Sequence, residues 1–460
     1  MIIRKAMYGC GLYFFIKLAY NSPILCKFAY ELINCNTMEY RSRIADKILA
    51  DKLASKGAVL IEGPKWCGKT TTAEQHAKSI LYMDNPATLQ SNLRMAELDP
   101  SLLLSGDTPR LIDEWQLAPK LWDSMRFEID HRHDVGQFIV TGSAVPASEE
   151  DMHHSGTGRF SWLTMRPMTL FESGESSGKV SLRHLFDNGG PIAETCKLDI
   201  SDIAYLICRG GWPFACGLER KAALAQAYDY VDAVVKKDIS RVDGVKRSAT
   251  TAKLLMRSYA RHQGAQATIG TIVADLSANG DKTVSEKTIS SYIEALRKIF
   301  VIEDSEAWTP NLRSKSAIRT ASTRYFIDPS IGTASLGLGP DDLLQDLNTM
   351  GLFFETLCVR DLRVYAEALD GEVFHFRDKT GLECDAVVHL RNGKYGLIEV
   401  KLGGDKLIDE GAENLKALST RIDTDKMKTP SFLMILTAVG DFAYQRKDGV
   451  YVVPIGCLKD

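Results

Sequence analysis

The residues Gly63-Pro64-Lys65-Trp66-Cys67-Gly68-Lys69-Thr70 carry the spacing Gly-x4-Gly-Lys-Thr, between a β-type run ending at Glu62 and a helical stretch opening near Lys69. In that setting the spacing is a phosphate grip. Gly63 and Gly68 let backbone N–H groups turn inward around phosphate oxygens, and the helix start adds the positive end of its dipole. Lys69 is expected at the β/γ-phosphates, the Thr70 hydroxyl on Mg²⁺, and Thr71 completes the set at the nucleotide, read as ATP.

A second acidic feature belongs with the first. Leu111-Ile112-Asp113-Glu114 is an apolar strand ending in two carboxylates, some forty residues after the loop. Asp113 is expected in the Mg²⁺ shell and Glu114 at the attacking water, as orienter or proton acceptor. The strand Phe138-Ile-Val-Thr141-Gly-Ser143 ends in hydroxyls and resembles the sensor strand of AAA-type ATPases, with Thr141 the first choice beside the γ-phosphate and Ser143 the second. Arg159, in Gly156-Thr-Gly-Arg159, has two readings. It is an arginine finger that neutralises charge on the γ-phosphate, or a surface arginine in a polar loop. A finger acting in trans would make the active species a homo-oligomer.

The C-terminal third offers another constellation. Glu383-Cys-Asp385-Ala-Val-Val-His-Leu390 and Gly396-Leu-Ile-Glu399-Val-Lys401 flank Arg391-Asn392-Gly393, which reads as a β-hairpin. A two-residue Asn-Gly turn would pair Asp385 with Val400 and send it to the wrong face. A three-residue loop with Gly393 left-handed shifts the register by one. Asp385 then faces Glu399, with Lys401 on the same face, and the opposite face is wholly apolar, which favours the shifted register. Two carboxylates and a lysine suit a divalent-metal site that activates water on a phosphodiester, with Glu355 on the preceding helix a further ligand. This set resembles the core of the PD-(D/E)xK nuclease superfamily. The bland alternative is a salt-bridged patch on a non-cleaving fold.

The elements that must position these groups follow from periodicity. Apolar runs at 58–61, 109–112 and 138–140 alternate with helical stretches, so a parallel sheet covered by helices is expected. Residues 146–158 and 172–190 read as polar loops. Residues 199–276 are helical, punctuated by Gly210-Gly211-Trp212-Pro213. A helix-turn-helix follows: Thr268 to Leu276, a turn at 277–280, and a second helix from Val284 to Lys298 with Thr283 and Glu286 as a capping box. Ile289, Ile293, Leu296 and Phe300 mark its buried face. Strand-like runs around the basic segment Arg313, Lys315, Arg319 and Arg324 complete a winged-helix pattern. The expected domains are an extension over 1–37, an ATPase domain over 38–190, a helical lid over 191–245, a winged-helix segment over 246–327 and a nuclease-like α/β domain over 328–460.

Totals set outer limits. A formal net charge of −3 provides no global field towards nucleic acid, so such binding must come from local basic patches. The ten cysteines show no CxxC or zinc-finger spacing, which reads as reduced thiols in a cytoplasmic protein. The apolar run from Ala6 to Ile16 is shorter than the roughly 20 residues of a membrane span. Met38 opens a patterned helix from Glu39 to Lys56, so residues 1–37 read as a dispensable or wrongly assigned extension, with a membrane anchor as the alternative.

From Met38 onward the order of motifs resembles a family of prokaryotic AAA-type ATPases joined to a C-terminal domain of unknown function. The matching stretches are Gly63 to Thr70, Leu111 to Glu114, Thr141 to Ser143, Gly158-Arg159, Arg209-Gly-Gly-Trp-Pro213 and Ile398 to Lys401. The resemblance implies an ATPase core, a helical lid whose Pro213 approaches the nucleotide, a winged helix and a nuclease-like domain. Two functions compete. One is an ATP-driven protein that binds or cuts DNA. The other is a regulatory switch, in signalling or defence, whose C-terminal domain does not cleave. A small-molecule kinase would leave about 320 residues after the core unexplained, given domains of roughly 100–200 residues.

Overall fold

A computed structural model describes residues 40–142, 154–187, 189–278, 284–309, 321–423, 425 and 427–460. The chain divides into two units, 1–41 and 42–460, and every element named below lies in the second. The alternatives for residues 1–37, together with Ser143, Thr283, Arg313, Lys315 and Arg319, fall outside the described residues.

Five short strands form one parallel sheet: β1 (Ala58–Glu62), β2 (Ser79–Tyr82), β3 (Arg110–Asp113), β4 (Phe138–Thr141) and β5 (Phe160–Thr164), in the order β2-β3-β4-β1-β5. Successive side chains go to opposite faces, and both faces are covered. Val59, Ile61, Leu111, Ile139 and Leu163 pack with Leu49 and Leu53 of α1 (Ile44–Leu53). Ala58, Leu60, Ile112, Phe138 and Val140 instead meet Trp122 and Met125 of α4 (Lys120–Arg132). Between these in sequence lie α2 (Lys69–His76) and α3 (Leu89–Leu98). Ile61 pairs with Thr141, and Thr141 with Asp113, so the carboxyl ends of β1, β4 and β3 stand side by side. That shared edge is where open α/β sheets take ligands.

A helical segment follows: α5 (Ile200–Arg209), α6 (Arg220–Ala233), α7 (Ala249–Arg261), α8 (Ile269–Ala278) and α9 (Glu286–Lys298). The N-cap of α9 is Ser285, whose side chain accepts from the Thr288 amide. Ile289, Ile293 and Leu296 are buried, as the helical spacing requires, whereas Phe300 is half-buried with a left-handed backbone. Two extended segments then pair at Ile302 with Phe326 and at Ser305 with Thr323. After α10 (Pro329–Leu336) comes the long α11 (Leu347–Glu367).

The second sheet has the order β7-β12-β13-β11-β10-β9-β8. Its members are β7 (Ala193–Thr195), β8 (Gly371–Arg377), β9 (Glu383–Leu390), β10 (Tyr395–Lys401), β11 (Phe432–Thr437), β12 (Phe442–Gln445) and β13 (Tyr451–Pro454), with α12 (Asp405–Arg421) against one face. β7 pairs with β12, and β6 (Val180–Ser181) pairs with the C-terminal β14 (Leu458–Lys459). Residues 172–190, expected to be a loop, therefore contribute a strand and buried Leu182, Leu185 and Phe186. Their Ser/Gly-rich composition conceals apolar positions that pack only in the folded chain. One continuous apolar core runs from Leu170 to Leu458, so the boundaries drawn at 190, 245 and 327 cut across it.

Candidate functional site

The phosphate loop leaves β1 at Gly63, where a Cβ would lie 2.1 Å from the Met165 carbonyl oxygen, so only glycine lets the loop pass the end of β5. Trp66 (φ 67°) and Gly68 (φ 99°) are left-handed, and alternating φ signs let successive N–H groups point into one concavity. Lys69 opens α2 and is buried, its Nζ donating to Gly63 O at 2.9 Å and Pro64 O at 2.8 Å. Thr70 Oγ1 donates to Asp113 Oδ1 at 2.9 Å, and the Thr141 hydroxyl donates to the same oxygen. Asp113 thus ties the loop, β3 and β4 together. Burial raises its carboxyl above the ordinary range, and the two hydroxyls offset part of that shift. Glu114 follows in a left-handed conformation (φ 55°) and accepts from the Gln116 amide. Burial, then the charge of Asp113, raises its pKa.

The remaining loop side chains face other tasks. Lys65 pairs with Asp238 at 2.6 Å, Trp66 is exposed with its ring 6.3 Å from that of Tyr230, and Cys67 is buried with Sγ 3.3 Å from Met165 O. Thr71 is exposed on α2. Pro213 does reach the loop, because a Cβ at Gly68 would stand 3.5 Å from Pro213 Cγ. Nothing in the sequence marks Arg43, a lone arginine before a helix. It is buried and donates to Cys67 O and Arg166 O, each at 2.8 Å, while pairing with Glu172 at 3.0 Å.

Arg159 lies at the opposite end of the sheet. Its carbonyl accepts from Gly57 and Ala58 at the start of β1, and its guanidinium pairs with Asp130 at 2.8 Å. The length of β1 separates it from the phosphate loop, roughly 15 Å at ~3.3 Å per residue. It therefore cannot act on the nucleotide of its own chain.

The loop fits ATP and Mg²⁺ on three structural grounds: a cradle that a Cβ would fill at Gly63, a helix start at Lys69, and a hydroxyl–carboxylate pair at Thr70 and Asp113.

The second cluster rests on the hairpin. Pairing runs from Tyr395 with His389 to Ile398 with Ala386, and Gly393 is left-handed (φ 80°), so the register is the shifted one that sets Asp385 across from Glu399. Lys401 Nζ stands 2.5 Å from Glu399 and 3.6 Å from Asp385, while Asp385 also accepts from the Val400 amide at 2.7 Å. Glu355 of α11 accepts from the Tyr325 hydroxyl. Burial, then repulsion from Asp385, raises Glu355 well above the carboxylate range and pushes Glu399 up to about 8. Three acids here share one ammonium, and Glu399 Oε1 is buried without a partner. The expected metal ligands Asp385, Glu399 and Glu355 lie around the one ammonium of Lys401. Among the described residues no three His, Cys, Asp or Glu side chains stand as a metal-holding group. Lys401 places its ammonium between Glu399 and Asp385. The shielding of Glu399, 1% exposed, comes from α12, which covers this face of the sheet.

Comparisons with known proteins identify three segments of the chain. Residues 55–173 match the model of an AAA domain, and residues 200–342 and 350–458 match two domains of unknown function, DUF8612 and DUF4143. Residues 55–173 thus carry an AAA-type P-loop ATPase domain, and residues 350–458 a C-terminal domain of unknown function. More particularly, it is 25% identical over 375 residues to the uncharacterized protein Rv2008c of Mycobacterium tuberculosis, spanning 80% of this chain and 75% of that one. The same figures hold for Mb2031c of Mycobacterium bovis. The Walker-type ATPase PABY2304 of Pyrococcus abyssi is similar at 13% identity and a TM-score of 0.40, covering 64% of this chain and 96% of that one. Among the described residues no helix is long and apolar enough to cross a membrane.

Proposed function

We propose that the chain is a Mg²⁺-dependent ATPase whose nucleotide state is passed to its C-terminal domain, and that this domain acts on nucleic acid. The observation that carries the first part is the convergence of Thr70 and Thr141 on Asp113 Oδ1, beside a lysine held inside the phosphate loop.

Bound Mg²⁺ and ATP would supply the electrophilic γ-phosphorus and a counter-charge for the phosphates. Gly63 to Gly68 offer the backbone cradle, and Lys69 exchanges two main-chain carbonyls for phosphate oxygens. Thr70 and Asp113 are the groups to hold the metal. Glu114, poised by burial nearer neutral pH than an ordinary glutamate, takes the proton of the attacking water. Gln116 must release Glu114 for that task. Thr141 orients Asp113, and Pro213 reads the loop from the helical segment.

Support for action on nucleic acid comes from the register that brings Asp385 and Glu399 opposite one another beside Lys401, and from the order of three helices and a bridged extended pair over 249–326, the order a winged helix would have. In a helix-turn-helix the second helix enters the major groove, here α9. A second reading, a non-cleaving switch, is favoured by the Lys401 ammonium lying between the two opposed carboxylates.

ATP turnover measured with single-stranded DNA, duplex DNA and RNA, each with Mg²⁺ or Mn²⁺, tests both. Stimulation by one polymer, and its cleavage lost in Asp385→Ala and Lys401→Ala, would carry the nuclease reading. Stimulation with no cleavage of any substrate would leave the switch. No ATP turnover under any condition would remove the proposal.

A further inference from the structure

Two cysteines that the nucleotide chemistry does not use meet where the first sheet's outgoing chain joins the C-terminus. Cys196 directly follows β7, and Cys457 closes the turn Ile455–Cys457 just before β14. Cys457 Sγ lies 3.6 Å from the Thr195 carbonyl oxygen. A Cβ built on Gly456 would stand 2.8 Å from Cys196 Sγ, so a glycine is what lets the C-terminal turn lie against that sulfur. The two side chains are thus brought together across this turn, the Cys457 thiol donating to the carbonyl just before Cys196. Hydrogen bonding from the neighbouring thiol and nearby peptide N–H groups favours the charged form of Cys196. Its effect is asymmetric. The donors lower the Cys196 pKa to about 6, whereas the neighbouring sulfur and burial drive that of Cys457 up. Access is asymmetric as well, for Cys196 is half-buried and Cys457 fully buried.

We propose that Cys196 and Cys457 form a reversible thiol–disulfide site, with Cys196 the attacking and Cys457 the resolving sulfur, and with hydroperoxides as oxidant. The Cys196 thiolate attacks a peroxide oxygen. An S–O bond forms, the O–O bond breaks, and the departing alkoxide or hydroxide takes a proton from water. Cys457 sulfur then attacks Cys196 sulfur, forming the S–S bond as hydroxide leaves with the Cys457 proton as water. Two thiols are oxidised and one hydroperoxide is reduced to an alcohol (water, for hydrogen peroxide) plus water. The product adds a covalent tie between the residue after β7 and the C-terminal turn, beside the short ladders and the hydrogen bonds of Ser176, Ser177 and Ser181 that already join these segments.

The test is on the full chain. Limiting hydrogen peroxide is followed by alkylation of remaining thiols and peptide mass spectrometry, with Cys216, also half-buried, as internal reference. Cys196 is expected to react about 10-fold faster than Cys216 near neutral pH, the thiolate excess being moderated by lower nucleophilicity. Cys196 and Cys457 should be lost together and restored by a dithiol. In Cys457→Ser, sulfenic acid at Cys196 should persist and be trapped by a dione probe. In Cys196→Ser, Cys457 should stay reduced. Equal rates at Cys196 and Cys216, or oxidised Cys196 in the unaltered chain beside a still-reduced Cys457, would overturn the assignment.

Discussion

Replacing Glu399 with glutamine should stabilise the protein in mild alkali, although it removes an ion pair. The reason lies in the count of charges. Glu355, Asp385 and Glu399 share the single ammonium of Lys401, and Glu399 is 1% exposed. Full ionisation would leave two uncompensated negative charges around a Glu399 shielded from water, so the folded protein retains a proton that the unfolded chain gives up. With the Glu399 carboxyl at about 8 folded, against an ordinary 4.5, the native state binds more protons between those two values. Stability then falls as pH rises across that window and levels off above it, at up to about 1.4 kcal/mol per pH unit for one proton. Sharing the proton among three acids spreads the loss, so between pH 5 and 8 a total of about 2–4 kcal/mol is expected from this cluster. Glutamine keeps the volume and a hydrogen-bond acceptor for Lys401 and never ionises. At pH 8.5, Glu399→Gln should therefore be more stable by about 1–3 kcal/mol, or several degrees in Tm at ~2–4 °C per kcal/mol, and its Tm should vary less between pH 5 and 8.5. Thermal melts at five pH values in each protein measure this. A Glu399→Gln variant that is less stable at pH 8.5, with the unaltered pH slope, would show that Glu399 is ionised and held by Lys401. The charge argument would then fail. Mn²⁺ provides an internal check, since a cation that enters the cluster should raise the Tm of the unaltered protein more at pH 8.5 than at pH 6.

Three further outcomes concern the nucleotide site. Lys69→Ala should abolish ATP hydrolysis while circular dichroism stays unchanged, because the lost bonds run only to the loop carbonyls of Gly63 and Pro64; full turnover in that variant would remove the phosphate-loop assignment. Glu114→Gln should bind ATP but turn over at least about 100-fold more slowly, the range of general-base contributions. In the unaltered enzyme, kcat should rise with pH through a pKa above the ordinary glutamate value, since burial raises Glu114, and a flat profile from pH 5 to 8 would contradict this. Arg159→Ala should leave ATP affinity intact. If neighbouring chains complete one another's sites, it should lower turnover only at concentrations where oligomers form, which turnover measured against protein concentration will show.

What the sequence disclosed was local chemistry, and what it concealed was placement. The phosphate loop is legible because eight contiguous residues specify it and a glycine at 63 has a steric reason that needs no distant partner beyond β5. The hairpin register is legible because a one-residue slip would exchange its charged and apolar faces, and the observed pairing of Ile398 with Ala386 is the one that segregates them. Arg159 was opaque because distance along a chain does not say which end of a parallel sheet a residue occupies. β6 and β7 were opaque because two- and three-residue strands carry too little periodicity to register, and their partners lie some 250 residues away. The shielding of Glu399 was likewise invisible, since it depends on α12 folding back over the sheet.

The connection between the two sites is most open to test at Arg360. Its guanidinium pairs with Asp328 at 2.8 Å and Asp361 at 2.7 Å, all three fully buried. Asp328 also accepts from the Gly211 amide at 2.9 Å, fixing the Gly211-Trp-Pro213 turn whose proline meets Gly68 of the phosphate loop. Asp361 accepts from the Leu170 amide at 3.0 Å, at the turn beyond β5. Five residues before Arg360 on the same helix, Glu355 stands in the carboxylate cluster. One planar fork thus joins the turn over the loop to the helix beneath the second site. Removing it outright would strand two buried carboxylates at a cost of about 3–5 kcal/mol, which confounds any test of coupling. Arg360→Lys retains the charge but not the fork. In the unaltered protein, ATP should slow hydrogen exchange along α11 around Glu355 to Arg363. In Arg360→Lys that protection should shrink severalfold while ATP affinity changes little. Exchange along α11 that ignores ATP in the unaltered protein would mean the loop and the C-terminal cluster do not communicate through this helix, and the proposal that nucleotide state governs the C-terminal domain would lose its physical route.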